Sequence, residues 1–120
     1  MTVSMIINYV DNAGTAAPLY AAVLGTKPIH EEVGFAMFPL AGKTTLGLWS
    51  RDSVKPASTA TGSQSEICVT VGSDAEVDTT RAAWEKLGLK IVQQPTELGF
   101  GYTFTAEDPD GNRLRCYTPK

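Results

Sequence analysis

The sequence predicts an α+β fold built from two consecutive βαβββ modules, with curved mixed sheets around a cavity and the helices on the outer face. Three features predict it. Strand-like and helix-like periods succeed one another twice in the same order, and both helical stretches close on Leu-Gly. A Ser/Thr/Pro/Gly-rich stretch, SRDSVKPASTATGSQS (50–65), stands between the two series and has linker composition.

In the first module, residues 3–10 (VSMIINYV) are apolar and β-branched enough for a buried strand. Asp11-Asn12 supplies a cap for a helix from Ala13 to Leu24, with Pro18 near its first turn and Gly25 ending it. Three short strands follow near 27–32, 34–40 and 44–50, punctuated by Gly34 and Ala41-Gly42. After the linker (51–64), EICVTV (66–71) is a strand, Ser73-Asp74 caps a helix running to Leu87, and Gly88 stops it. Strands near 89–94, 100–106 and 112–118 complete the second module. One domain spans 1–120, with module 1 near 1–50 and module 2 near 65–120.

The repeat can be followed residue by residue: Val10 with Val71, Leu24-Gly25 with Leu87-Gly88, Phe38 with Phe104, Leu46 with Leu114. Side chains alternate across a strand, so each strand presents two sets. Leu46, Leu48, Leu114 and Cys116 form the set facing the helices. Gly47 and Trp49, and Arg115 and Tyr117, form the opposite set. In the first strands Ile6, Val10, Ile67, Val69 and Val71 are expected to face the core, with Met5, Ile7, Tyr9, Glu66, Cys68 and Thr70 toward the cavity. Asn8 then falls on the core side, an awkward place for an amide.

Composition excludes several functions. A 120-residue chain, 42% hydrophobic and 19% charged, is one ordinary globular domain. The net charge is −3 and no two basic residues adjoin, so nucleic acid is not an expected partner. No apolar run approaches the ~20 residues of a membrane-spanning helix. The N-terminus MTVSMIINYV has no basic region and is not read as a signal peptide, so a cytoplasmic location is the expectation. The 2 cysteines, Cys68 and Cys116, are too few for a disulfide scaffold and are expected as free thiols.

LYAAVLG (19–25) and DPDGNRLRCYTP (108–119), with the tandem βαβββ order, resemble the vicinal oxygen chelate superfamily. That superfamily includes glyoxalase I, extradiol dioxygenases and the bleomycin-resistance proteins. The resemblance covers essentially the whole chain. Physically DPDGN is a turn, with Pro fixing φ and Gly allowing a positive one. The resemblance implies a divalent metal held by one ligand from each first strand and each fourth strand, usually His, Glu or Gln. Carried through the repeat, those positions are Met5, Gly47, Glu66 and Arg115. Only Glu66 is a suitable donor, so neither metal nor other cofactor is expected, and His30 lies outside the quartet. FPLAGKTTLGLWS (38–50), SEICVTVGSDAEVD (65–78) and FGYTFTAEDPDGNRLRC (100–116) are similar to the family's phenazine-resistance branch. That likeness implies sequestration of a planar aromatic drug in a site completed by a second subunit, hence a homodimer.

Each candidate residue has two readings. Trp49 beside Gly47 makes a slot for a flat ring, or it plugs the sheet end. Arg115 and Glu66 form an ion pair replacing the metal's cross-link, or Arg115 clamps a ligand carboxylate or carbonyl with Glu66 orienting it. Phe35, Phe100 and Tyr102 flank glycines near strand ends and are candidate contacts at a cavity mouth, as is Tyr117 beside Arg115. Cys68 is a reactive cavity thiol or an inert one. The resulting expectation is a metal-free protein that binds a planar aromatic compound without catalysing its conversion. The alternatives are a glyoxalase- or dioxygenase-like enzyme with an atypical or metal-free site, in which Glu66 is the base, and a protein whose filled cavity leaves only a dimer surface.

Overall fold

In the computed structural model, which describes residues 3–55, 57 and 65–120, each helix begins on a side-chain cap. Asn12 accepts a hydrogen bond from the Thr15 amide to open α1 (Ala13–Leu24), and Gly25 closes it in the left-handed conformation, φ 67°. Ser73 accepts from the Glu76 amide to open α2 (Asp74–Lys86). The Glu76 carboxylate returns to the Gly72 amide at 3.1 Å, so side chains satisfy donors at both sides of the cap. Pro18, expected near the first turn of α1, falls in its second turn.

The chain divides into two compact units, Met1–Thr61 and Gly62–Lys120. In unit 1, β1 (Met5–Val10), β2 (His30–Glu32), β3 (Phe35–Pro39) and β4 (Thr45–Ser50) form a sheet in the order β1-β4-β3-β2. In unit 2, β5 (Glu66–Thr70), β6 (Lys90–Leu98), β7 (Gly101–Glu107) and β8 (Arg113–Pro119) repeat that order as β5-β8-β7-β6. The first strand of each unit runs parallel to the fourth, and the other neighbours are antiparallel. This is the α+β, twice-written βαβββ plan expected from the sequence. Among the described residues no helix is long and apolar enough to cross a membrane.

Each sheet packs one face on its helix. In unit 1, Val10, Tyr20, Phe38, Leu46 and Leu48 are fully buried or nearly so. In unit 2, Val77, Phe104, Leu114 and Cys116 are, and Trp84 meets Phe104 edge-to-face at 5.2 Å. The expected core set on the fourth strands is therefore the observed one. The first strands differ. Ile6 is 48% exposed rather than buried, and Ile67, Val69 and Val71 are only half-buried. The cause is the strand order: β1 and β5 are edges, and the helices lie over the inner strands β3–β4 and β7–β8 and over β6.

The register of the repeat corrects one equivalence. Leu46 faces Phe38 across β3–β4, whereas Leu114 faces Ala106 across β7–β8, and Phe104 faces Cys116. Phe38 therefore corresponds to Ala106, and Ala36 to Phe104. The two cores exchange their large and small side chains by one step of the ladder, which keeps total volume similar while moving the bulk. At the front of the expected linker, Arg51–Ser53 form a single 3-10 turn and Val54 is buried. Residues 56 and 58–64 lie outside the described residues.

Candidate functional site

The face of the unit 2 sheet opposite α2 carries a polar network built by strand register. Parallel pairing sets Glu66 beside Arg113, Cys68 beside Arg115 and Thr70 beside Tyr117. Antiparallel pairing sets Thr103 beside Tyr117 and Thr105 beside Arg115. Arg115, with 15% of its side chain exposed, is the hub. Its Nε donates to Glu66 Oε1 at 2.8 Å, and its Nη1 donates to Gln93 Oε1 at 3.2 Å and Thr103 Oγ at 3.1 Å. Thr103 in turn donates to the Cys116 carbonyl at 2.9 Å, and Thr105 donates to Gln93 Oε1 at 2.9 Å. The guanidinium is thus fixed from three sides.

Charge follows that geometry. The Arg115 guanidinium hydrogen-bonded to Glu66 holds the Glu66 carboxyl below the usual carboxylate range, against the opposing effect of partial burial. The Cys68 thiol donates to Glu66 Oε1 at 3.5 Å. Burial first, then the Glu66 acceptor and its charge, push that thiol above its ordinary range. Cys68 is therefore the less nucleophilic of the two expected forms at neutral pH.

Aromatic rings adjoin the hub. Phe100 occupies the two-residue turn between β6 and β7 and is 45% exposed. The Arg115 guanidinium carbon lies 5.5 Å from its ring centroid, and Tyr117 meets the ring edge-to-face at 5.7 Å. Gly101 makes this turn possible: at φ 149° a Cβ there would collide with the Thr118 carbonyl oxygen. Tyr102, expected with Phe35 and Phe100 at a cavity mouth, lies on the helix side of the sheet. Neighbours on a strand alternate, so with Thr103 toward Arg115 the Tyr102 hydroxyl reaches α2 and donates to Asp78 at 2.8 Å. Lys120 sits over the Tyr102 ring and bridges Asp74 at 2.9 Å and Glu97 at 3.0 Å.

The corresponding face of unit 1 is apolar. Trp49 contacts Phe35 edge-to-face at 6.2 Å and Tyr9 at 6.4 Å. The expected open slot over Gly47 is occupied: a Cβ there would lie 3.0 Å from Phe35 Cζ and 3.2 Å from Ile7 Cγ1. Phe35, from one strand over, uses the space the missing side chain leaves. Met5 pairs with Thr45 at the start of β1.

The positions matching the family's metal ligands remain Met5, Gly47, Glu66 and Arg115. They do not fit a divalent metal. Glycine supplies no donor, the thioether is a poor partner for a hard cation, and the one carboxylate is bonded to a permanent positive charge. Among the described residues no cluster of three or more His, Cys, Asp or Glu could hold a metal. His30 is exposed and lies 3.8 Å from Glu32.

Of the expected site residues, the structure brings together Glu66, Cys68, Arg115, Tyr117 and Phe100 in unit 2, and Gly47, Trp49 and Phe35 in unit 1. Gln93, Thr103 and Thr105 join the unit 2 network unannounced. Gln93 stands between two register shifts of β6, and only its polarity on a strand hinted at a role.

Two βαβββ units, each holding its first and fourth strands side by side, define a protein of the repeated-βαβββ class. The chain belongs to the Glyoxalase/Bleomycin resistance protein/Dioxygenase superfamily, whose model matches residues 2–116. It is 25% identical over 118 residues to the phenazine antibiotic resistance protein EhpR of Enterobacter agglomerans, spanning 96% of this chain and 90% of that protein. A protein of Agrobacterium tumefaciens solved by NMR in solution is 42% identical, with a TM-score of 0.90 across 100% of this chain and 98% of the other. A glyoxalase/bleomycin resistance protein/dioxygenase family enzyme from Burkholderia phytofirmans shares the fold at 17% identity, with a TM-score of 0.87 over 100% of both chains.

Proposed function

We infer that this protein binds a planar aromatic molecule, of the phenazine kind named for its Enterobacter relative, and holds it without metal or chemical conversion. The observation that carries the reading is an exposed Phe100 ring set against a fixed guanidinium with Tyr117 at its edge. A flat ligand laid on Phe100 gains stacking of about 0.5–1.5 kcal/mol beyond burial, and the nearby cation adds about 0.5–1 kcal/mol. A second copy of the chain is the partner proposed for unit 1, where Ile7 and Tyr9 are 39% and 41% exposed.

The enzymatic alternative is weaker on the same geometry. A metal-free enzyme would need Glu66 as its base, and a carboxyl held below its usual range by Arg115 is a poorer base than an ordinary one. The test is equilibrium dialysis against unsubstituted phenazine, with metal analysis of the purified protein. Saturable binding that Phe100→Ala weakens about three- to tenfold supports the reading. Absence of saturable binding, or a stoichiometric divalent ion needed for it, would refute it.

A further inference from the structure

The donors around Arg115 are not all used. Its Nε and both hydrogens of Nη1 are directed at Glu66, Gln93 and Thr103. Among the described residues its Nη2 has no partner. Gln93 is spent on the opposite side: its Oε1 accepts from both Arg115 Nη1 and Thr105 Oγ. Those two donors fix which end of the amide is oxygen, because an amide nitrogen could accept neither hydrogen bond. The Nε2 group therefore points away from them, and it too has no partner among the described residues. The one buried side-chain nitrogen left unpaired among those residues is Asn8 Nδ2, so Arg115 Nη2 and Gln93 Nε2 both reach solvent.

Two unspent nitrogen donors, joined by a hydrogen bond through their other ends and bordered by Phe100, make a fork for a ligand with two acceptor oxygens. A carboxylate matches the planar guanidinium better than a single carbonyl does. Resting on the reading of this face as a ligand site, we propose that Arg115 and Gln93 select aromatic rings bearing a carboxylate over uncharged rings of the same shape. Glu66 is the positioning residue that holds Arg115 by Nε and leaves Nη2 free. Gln93 is a specificity-determining residue, aimed by the bulged course of β6.

The ratio of two affinities tests this, phenazine-1-carboxylate against unsubstituted phenazine, by equilibrium dialysis at neutral pH and fixed salt. The native protein is expected to prefer the carboxylate by about tenfold or more. Gln93→Glu sets a carboxylate where the amide stood, and the ratio should collapse toward one. Gln93→Met, which removes the donor without adding charge, should lower it by an intermediate factor and serves if the Glu variant does not fold. Phe100→Ala should weaken both ligands and keep the ratio. Equal affinities in the native protein, or a ratio that survives Gln93→Glu, overturns the fork while leaving ring binding intact. Failure of both ligands to bind overturns the fork and the reading beneath it together.

Discussion

Asn8 buries an amide nitrogen that is unpaired among the described residues, and removing it should stabilise the protein. It is 4% exposed, and its Nδ2 has no partner among the described residues. Parallel register pairs it with Leu48, in the place where unit 2 pairs Val69 with Cys116. Asn8→Val therefore writes into unit 1 the side chain its repeat already uses. Relieving an unsatisfied buried amide recovers about 1–3 kcal/mol, and a β-branched residue suits a strand. Valine's extra bulk against Leu48 offsets part of that gain. The expected net is about 1–2 kcal/mol, or a Tm rise of roughly 3–8 °C for a chain of this size. Urea unfolding should be followed separately in the two units, since each holds one of the 2 tryptophans, Trp49 and Trp84. A single-tryptophan background keeping Trp49 reports on unit 1, and its midpoint should rise at unchanged slope. An unchanged or lowered midpoint would refute the reasoning, because it would mean that the amide has a partner worth keeping.

Three further outcomes follow from the unit 2 network and turn. Glu66 is held below the usual carboxylate range mainly by its bond to Arg115. Its contribution to stability is therefore complete above that range and lost as pH falls through the folded-state value. Native protein should lose more stability than Glu66→Gln between about pH 6 and about pH 3, by less than ~1 kcal/mol because the carboxylate is 37% exposed. Equal acid slopes would count against the pair. Cys68 should alkylate with iodoacetamide along a pH profile displaced above that of an ordinary thiol, and Glu66→Gln should bring the profile down, while buried Cys116 stays silent. Gly101→Ala should cost about 1–3 kcal/mol in urea titration, since a Cβ meets the Thr118 carbonyl; a neutral result would show that the turn can shift.

Much of the fold was legible because local chemistry and pattern agree in this chain. Asn12, Ser73, Gly25 and Gly88 mark helix ends by mechanisms that act within a few residues, and α1 keeps its expected limits. Register was less legible. Phe38 and Phe104 invite alignment by identity, yet the ladder shifts them by two because a core needs volume, not a particular residue at a particular rung. The length of β6 was hidden in QQPTEL, whose polarity and proline carry no strand signal; it pairs through irregular register. The Glu66–Arg115 contact could be read from the repeat, as both positions follow from one alignment. The filling of the Gly47 slot could not, because Phe35 reaches it diagonally from a neighbouring strand. Nearness to glycines points Tyr102 toward a cavity mouth, whereas alternation from Thr103 sends it to the helix side.

The two units span first and fourth strand differently at equivalent places in one fold. In unit 1, β1 and β4 at these positions are spanned by apolar contact: Ile7 and Phe35 close over Gly47, and Trp49 meets Phe35 edge-to-face. In unit 2 the same span between β5 and β8 is made by Glu66 and Arg115 at 2.8 Å. Either solution ties first strand to fourth, so stability alone did not require a charged pair. Replacing such a pair with apolar side chains of similar volume is often neutral or stabilising, and unit 1 is already an example within this molecule. The guanidinium of unit 2, anchored by three partners and still holding an unspent nitrogen beside an exposed ring, is what the proposed ligand site requires and what a tie between two strands alone does not.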